Sequence, residues 1–160
     1  MNTPLRQGAL AALLLLSAAT AMAGAQVTFV NPEHFSDVPM ADRERERVLK
    51  DLQLHFDKLA ATLPAGQQLK VEVTDIDLAG QTWPTRLHGR DIRVLNGRAD
   101  WPHMTLRYTI TQGDQVVKSG DSKLSDMDYQ HSPSHYANTD TLRYEKNMLD
   151  QWFRTLIAVR

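Results

Sequence analysis

The stretch that most restricts how this chain can fold runs from Met104 to Thr111. Met104, Leu106, Tyr108 and Ile110 alternate with Thr105, Arg107, Thr109 and Thr111, the two-residue period of a strand with one face in a core and the other in water. Gln112, Gly113 and Asp114 supply turn chemistry, and Gln115 to Leu124 reads as the return strand of a hairpin. A sheet built from such strands needs something apolar laid over its inner face.

Two segments have the stripe to do so. Val48, Leu49, Leu52, Phe56, Leu59, Ala60 and Leu63 recur at steps of three and four, predicting a helix that begins between Asp37 and Asp42. Pro39 is allowed in its first turn, and Pro64 and Gly66 stop it. Leu142, Leu149, Trp152, Phe153, Leu156 and Ile157 line one face of a last helix that starts near Thr139 to Thr141. The run Arg43, Glu44, Arg45, Glu46, Arg47 lies on the solvated side of the first helix, with Glu46 four residues before Lys50.

Three further strands complete the pattern. Val27 to Val30 is short and ends at Asn31 and Pro32. Leu69, Val71 and Val73 share one face, after which Ile76 and Leu78 fall on the other, so a bulge near Thr74 is expected, leaving Asp75 and Asp77 side by side. Ala79 to Arg90 reads as a loop, Asp91 to Leu95 as a short strand, and Ser125 to Asp140 as a long polar loop. The expected fold is α+β, a two-layer sandwich. A mostly antiparallel sheet of about five strands is covered on one face by two amphipathic helices, in the order β-α-β-β-β-β-α. The first two strands, joined by a helix, are expected to be parallel neighbours.

The N-terminus has a different grammar. Arg6 precedes an apolar run from Ala9 to Ala19, and small residues at Ala21, Ala23 and Ala25 offer two overlapping A-x-A steps. That is an export leader, expected to be removed over residues 1–25, or after Ala23, with residues 26–160 as one globular domain. The apolar run is short of the roughly 20 residues that span a bilayer. The expected location is the periplasm, or outside the cell. There is no cysteine, hence no disulfide, no thiolate metal site and no lipidated residue at the cleavage point. Without Arg6 the 18 Lys and Arg become 17, against 19 Asp and Glu. That near balance gives no reason to expect a nucleic-acid partner.

The segments VTFVNP (Val27 to Pro32), LKVEVTDIDLAG (Leu69 to Gly80), DIRVLNGRADWPHMTLRY (Asp91 to Tyr108), LSDMDY (Leu124 to Tyr129) and LRYEKNMLDQWF (Leu142 to Phe153) carry a resemblance. Together they resemble the exported bacterial family catalogued as domain of unknown function 3016. The resemblance implies an exported single-domain protein with no assigned activity, and it brings no catalytic residues. It does not extend to Gln130 to Asp140.

Three constellations have chemistry to offer. His131 and His135 frame the segment HSPSH, and two imidazoles with a carboxylate suit zinc or copper, although Pro133 breaks the helix that would align them. Asp75, Asp77, Asp100 and Asp126, with Asp128, stand at strand ends, where converging carboxylates can bind a cation or form an acid and base pair. The same aspartates can cap turns or pair with Arg93, Arg107 and Arg143. Trp83 and Trp101 each precede a proline, which fixes extended or turn backbone, and exposed together they would make an apolar platform for a partner or ligand. No nucleophile elbow, metalloprotease helix or phosphate-binding glycine loop is present. The sequence therefore points to a binding or interaction module for an envelope protein or small ligand, with no cofactor implied. The alternative is a hydrolase using the aspartates or the two histidines.

Overall fold

A computed structural model describes residues 24–83, 92–97 and 99–158 of the chain. The main sheet has four strands: β1 (Ala25–Phe29), β2 (Gln67–Asp77), β5 (His103–Gln112) and β6 (Gln115–Ser125), in the order β1-β2-β5-β6. β1 runs parallel to β2, and the other neighbours are antiparallel. Helix α1 (Asp42–Ala60) connects β1 to β2, and α2 (Arg143–Ala158) closes the chain. The fold is α+β, with the elements in the order that the periodicity predicts.

Alternation sets the inner face of the sheet. Leu69, Val71 and Val73 of β2 and Met104, Leu106, Tyr108 and Ile110 of β5 are buried, and they join Leu52, Phe56, Leu59, Leu149 and Phe153 of the helices in one core. On the outer face Arg107 bridges Glu72 and Asp121 across three strands, all in reach of water. The expected bulge lies between Val73 and Asp75. It lets Thr74 turn outward and returns Ile76 to the core, where it is fully buried. At the β5–β6 hairpin Gly113 takes φ +58°, a conformation that favours glycine in a two-residue turn.

Two strands differ from expectation, and the helix start is fixed within its expected range. The short strand expected at Asp91 to Leu95 does not join the main sheet. As β4 (Ile92–Val94) it pairs with β3 (Gln81–Trp83), inside the expected loop, to form a separate antiparallel ribbon. Gly80 turns the chain out of β2 at φ +82°, where an added Cβ would lie 2.5 Å from the Val94 carbonyl oxygen. Helix α1 begins at Asp42, within the expected range, leaving Pro39 outside it. Asp37 is already engaged as a bridge to Asp77, its amide donating to the Ile76 carbonyl and its carbonyl accepting from the Leu78 amide. Finally β1 starts at Ala25, two residues before the strand the sequence suggests. The expected leader through Ala23, and Pro84 beside Trp83, lie outside the described residues.

Helix α2 is buried more broadly than its apolar stripe. Leu149, Phe153 and Leu156 face the core, and Glu145, Lys146 and Asn147 are buried as well, while Ile157 is 43% exposed. Trp152 is half-buried, its Nε1–H donating to Ser122 Oγ at 3.1 Å and its ring edge-on to Tyr108. Lys146 shows why a charged residue is tolerated here. Its ammonium lies 2.8 Å from Asp140 and 3.2 Å from Asp51. Burial lowers its pKa, but these carboxylates more than offset that and hold it above its ordinary value.

Candidate functional site

The strand ends carrying the aspartates do converge. The register aligns Asp77 with His103 and His103 with Ser125, while the Gly80 amide donates to the Asp100 carbonyl and the Asp126 amide to the Pro102 carbonyl. One end of the sheet thus gathers Asp75, Asp77, Asp100, Trp101 and Asp126. Most of these carboxylates are occupied by turns. Asp75 accepts from the Ser36 amide and hydroxyl, both at 2.8 Å. Asp100 accepts from the Asn96 amide at 2.6 Å and the Tyr129 hydroxyl at 3.1 Å. One oxygen of Asp126 accepts from the Asp128 amide and the Ser132 hydroxyl, and its other is buried without a partner.

Asp77 is different: the basic side chain beside it is His103, with Nδ1 at 3.6 Å. Burial raises its pKa, His103 opposes that, and Asp37 and Asp75 add to it. The arginines are used elsewhere. Arg93 donates to Asp37 at 2.9 Å and to the carbonyls of Leu78, Ala79 and Gly80, and Arg143 donates to the Asn138 carbonyl and lies over the Tyr144 ring. The two tryptophans do not form a common exposed platform. Trp83 is 55% exposed and stands directly opposite Ile92, itself 53% exposed, on the β3–β4 ribbon. Trp101 is half-buried, with its ring 5.7 Å from that of His103.

The two histidines of HSPSH face different partners. His131 Nδ1 is 3.0 Å from Asp128, both exposed, whereas His135 packs on Tyr136, with ring centroids 4.3 Å apart. Among the described residues no three His, Asp or Glu side chains are placed to hold a metal ion together.

His135 leads to a second cluster, centred on Asp150 of α2. Asp150 Oδ1 lies 2.9 Å from Nε2 of His55, which is 4% exposed on α1. Asp150 Oδ2 accepts from the Tyr136 hydroxyl at 2.7 Å and lies 3.8 Å from His135 Nε2. The His55 contact is close but misaligned, since Nε2 has no partner along its own hydrogen-bonding direction. Burial lowers the His55 pKa, Asp150 opposes that, and Lys146 and Lys58 reinforce the burial effect. Burial and the hydrogen bond to Asp150 raise the Tyr136 pKa, keeping its hydroxyl a donor.

Grooves flank this cluster. The larger, about 540 Å³, has an apolar wall of Leu59, Phe153 and Ile157 and a polar lip that includes His135, Asn147 and Arg154. The smaller, about 380 Å³, exposes an edge of His55 between Asp51, Lys58 and Lys146. An apolar wall with a few convergent polar groups suits a ligand with a hydrocarbon body and a polar head. The hydroxyls in the larger groove are committed to backbone: Thr62 donates to the Leu59 carbonyl and Ser134 accepts from the Tyr136 amide. The aspartates and tryptophans singled out by the sequence do not line either groove.

Comparison with known proteins bears on this architecture as a whole. Residues 23–155 match one family, described as Protein of unknown function (DUF3016). The chain belongs to that family. The match ends within the last turn of α2 and includes both clusters of this DUF3016 protein. Among curated proteins nothing matches. A solved structure that this DUF3016 chain is similar to is protein XCC0632 from Xanthomonas campestris, family DUF330, at 12% identity and a TM-score of 0.36, covering 86% of this chain and 83% of that one.

Proposed function

We propose that this DUF3016 protein is exported to the periplasm, freely soluble there once its leader is removed, and binds a small ligand in the groove between α1 and α2. The observation that carries the reading is the Asp150 cluster. Asp150 is half-buried against His55 and Tyr136, where it gives up hydration that the hydrogen bond from the Tyr136 hydroxyl only partly returns, and groups with shifted ionisation gather where a protein uses them. The leader pattern and the absence of cysteine support the location. Among the described residues, moreover, no helix is long and apolar enough to cross a membrane.

Native mass spectrometry of protein isolated gently from periplasm tests the reading. The expected result is a small-molecule adduct on the wild type that is lost in Arg154→Ala and Ile157→Asp, both exposed positions at the groove. An adduct retained by both variants, or none at any expression level, would count against it.

A second reading is favoured by the Trp83 and Ile92 pair, an exposed apolar contact on a short ribbon at the sheet end that also holds Trp101, Asp75, Asp77, Asp100 and Asp126. There the partner is an envelope protein. Trp83→Ala should then abolish a periplasmic crosslink that Arg154→Ala leaves intact.

A further inference from the structure

We infer that the leader is removed after Ala23, making Gly24 the first residue of the mature protein. The inference rests on the export reading and adds to it the bond that is cut. By sequence, Ala21-Met22-Ala23 and Ala23-Gly24-Ala25 are equivalent small-x-small steps. For the fold they are not equivalent, because Ala25 is the first residue of β1, paired in register with Leu69 of β2.

Three contacts depend on Ala25. Its amide N–H donates to Asp57 Oδ1 on α1 at 2.9 Å. Its carbonyl accepts from Gln53 Nε2 at 3.2 Å, and the same nitrogen reaches Asp57 at 3.3 Å. Its methyl group packs against the core. Asp57 and Gln53, one turn apart on α1, therefore act together as a clip on the start of an edge strand, which otherwise has only β2 as a hydrogen-bonded neighbour.

Cleavage after Ala25 discards all three contacts and leaves the clip empty. After Ala23, water adds across the Ala23–Gly24 peptide bond, the carbonyl carbon of Ala23 taking the hydroxyl and the Gly24 nitrogen the proton. Both Ala25 bonds then survive. The new ammonium at Gly24 lies one residue from the Asp57 carboxylate, an attractive placement of opposite charges.

The test begins with the full chain carrying a C-terminal tag, expressed in an exporting bacterium, purified from periplasm and analysed by intact mass and N-terminal sequencing. The expected start is Gly24. A start at Gln26 overturns the inference while leaving export intact, and a chain still beginning at Met1 overturns the export reading and the inference together. As a second measurement, purified chains starting at Gly24 and at Gln26 are melted with and without Asp57→Ala. The Gly24 chain should have the higher Tm, and Asp57→Ala should lower it by more than it lowers that of the Gln26 chain, which lacks the Ala25 amide bond. Equal Tm values for the two starts, or an equal loss from Asp57→Ala in both, would overturn the role assigned to the clip.

Discussion

Replacing Glu145 by glutamine should make the protein more stable in neutral solution, by an amount that grows with pH. Glu145 is 1% exposed near the start of α2. Its Oε1 accepts from the Ala79 amide at 2.8 Å, and Oε2 is buried with no partner. Burial raises its pKa above 4.5; the Ala79 amide and Arg93 pull the other way without cancelling it. Below pH 4.5 the carboxyl is neutral in both folded and unfolded chains and makes no pH-dependent contribution. As pH rises past that value the unfolded chain releases its proton and the folded chain does not, so stability falls by about 1.4 kcal/mol for each unit until the folded pKa is reached. Glutamine has no such titration and still offers an oxygen to the Ala79 amide. Urea denaturation of both proteins between pH 4.5 and about pH 8 gives the difference directly. The gap, variant minus wild type, should widen with pH and then level off. Glu145→Ala is the control: it orphans a buried amide and should cost about 1–3 kcal/mol near pH 4.5, and because it too removes the titration its deficit against wild type should shrink as pH rises. A gap that stays constant, or narrows as pH rises, would refute the assignment of Glu145 as a carboxyl kept neutral by burial.

Other perturbations have outcomes fixed by the same geometry. The folded pKa of His55 lies below 6.5, so stability should be lost as pH falls through that value while the unfolded chain takes up the proton first. Thermal midpoints near pH 7.5 and 5.5 should show that loss shrink in His55→Gln, and an unchanged loss would point to other groups. On α1, Leu52→Ala should cost about 2–5 kcal/mol in urea denaturation and Leu54→Ala, 49% exposed, under about 0.5 kcal/mol. Comparable costs would mean that the wrong helix face has been placed in the core. Gly80→Ala and Gly66→Ala both put alanine at positive φ, but only at Gly80 does the new Cβ meet backbone, 2.5 Å from the Val94 oxygen. By thermal melting Gly66→Ala should cost about 1–2 kcal/mol and Gly80→Ala clearly more.

The sequence carried the main sheet and both helices because those elements repeat their burial pattern over many residues. Met104 to Ile110 specify β5 by alternation alone, and the slip between Val73 and Ile76 marks the bulge at Thr74 for the same reason. Of the β3–β4 ribbon only β4 was readable, as the short strand at Asp91 to Leu95. β3, three residues ending in a tryptophan beside a proline, is too short for a period to show, and Gly80 reads as an ordinary loop residue. The sequence left the start of α1 open between Asp37 and Asp42 because Asp37 resembles a helix cap, whereas it serves as a bridge to β2.

The sheet-end aspartates were visible as residues, but some of their partners, Ser36 for Asp75 and Tyr129 for Asp100, lie far away along the chain. The Asp150 cluster did leave a trace. His55 falls three residues after Leu52 and four before Leu59, and Glu145 and Lys146 precede Leu149, so polar groups interrupt apolar stripes. What the sequence withholds is which turn of α1 faces which turn of α2. That depends on packing, and it is packing that brings His55 to Asp150.

The central claim is that the groove beside Asp150 holds a ligand. It is tested most directly by amide NMR of the isotope-labelled mature protein, recorded with and without fractionated periplasmic small molecules. The account predicts shifts concentrated at Thr62, Asn147 and Arg154, abolished by Ile157→Asp. Shifts confined to Trp83, Ile92 and Trp101, or a spectrum that no fraction alters, would contradict it.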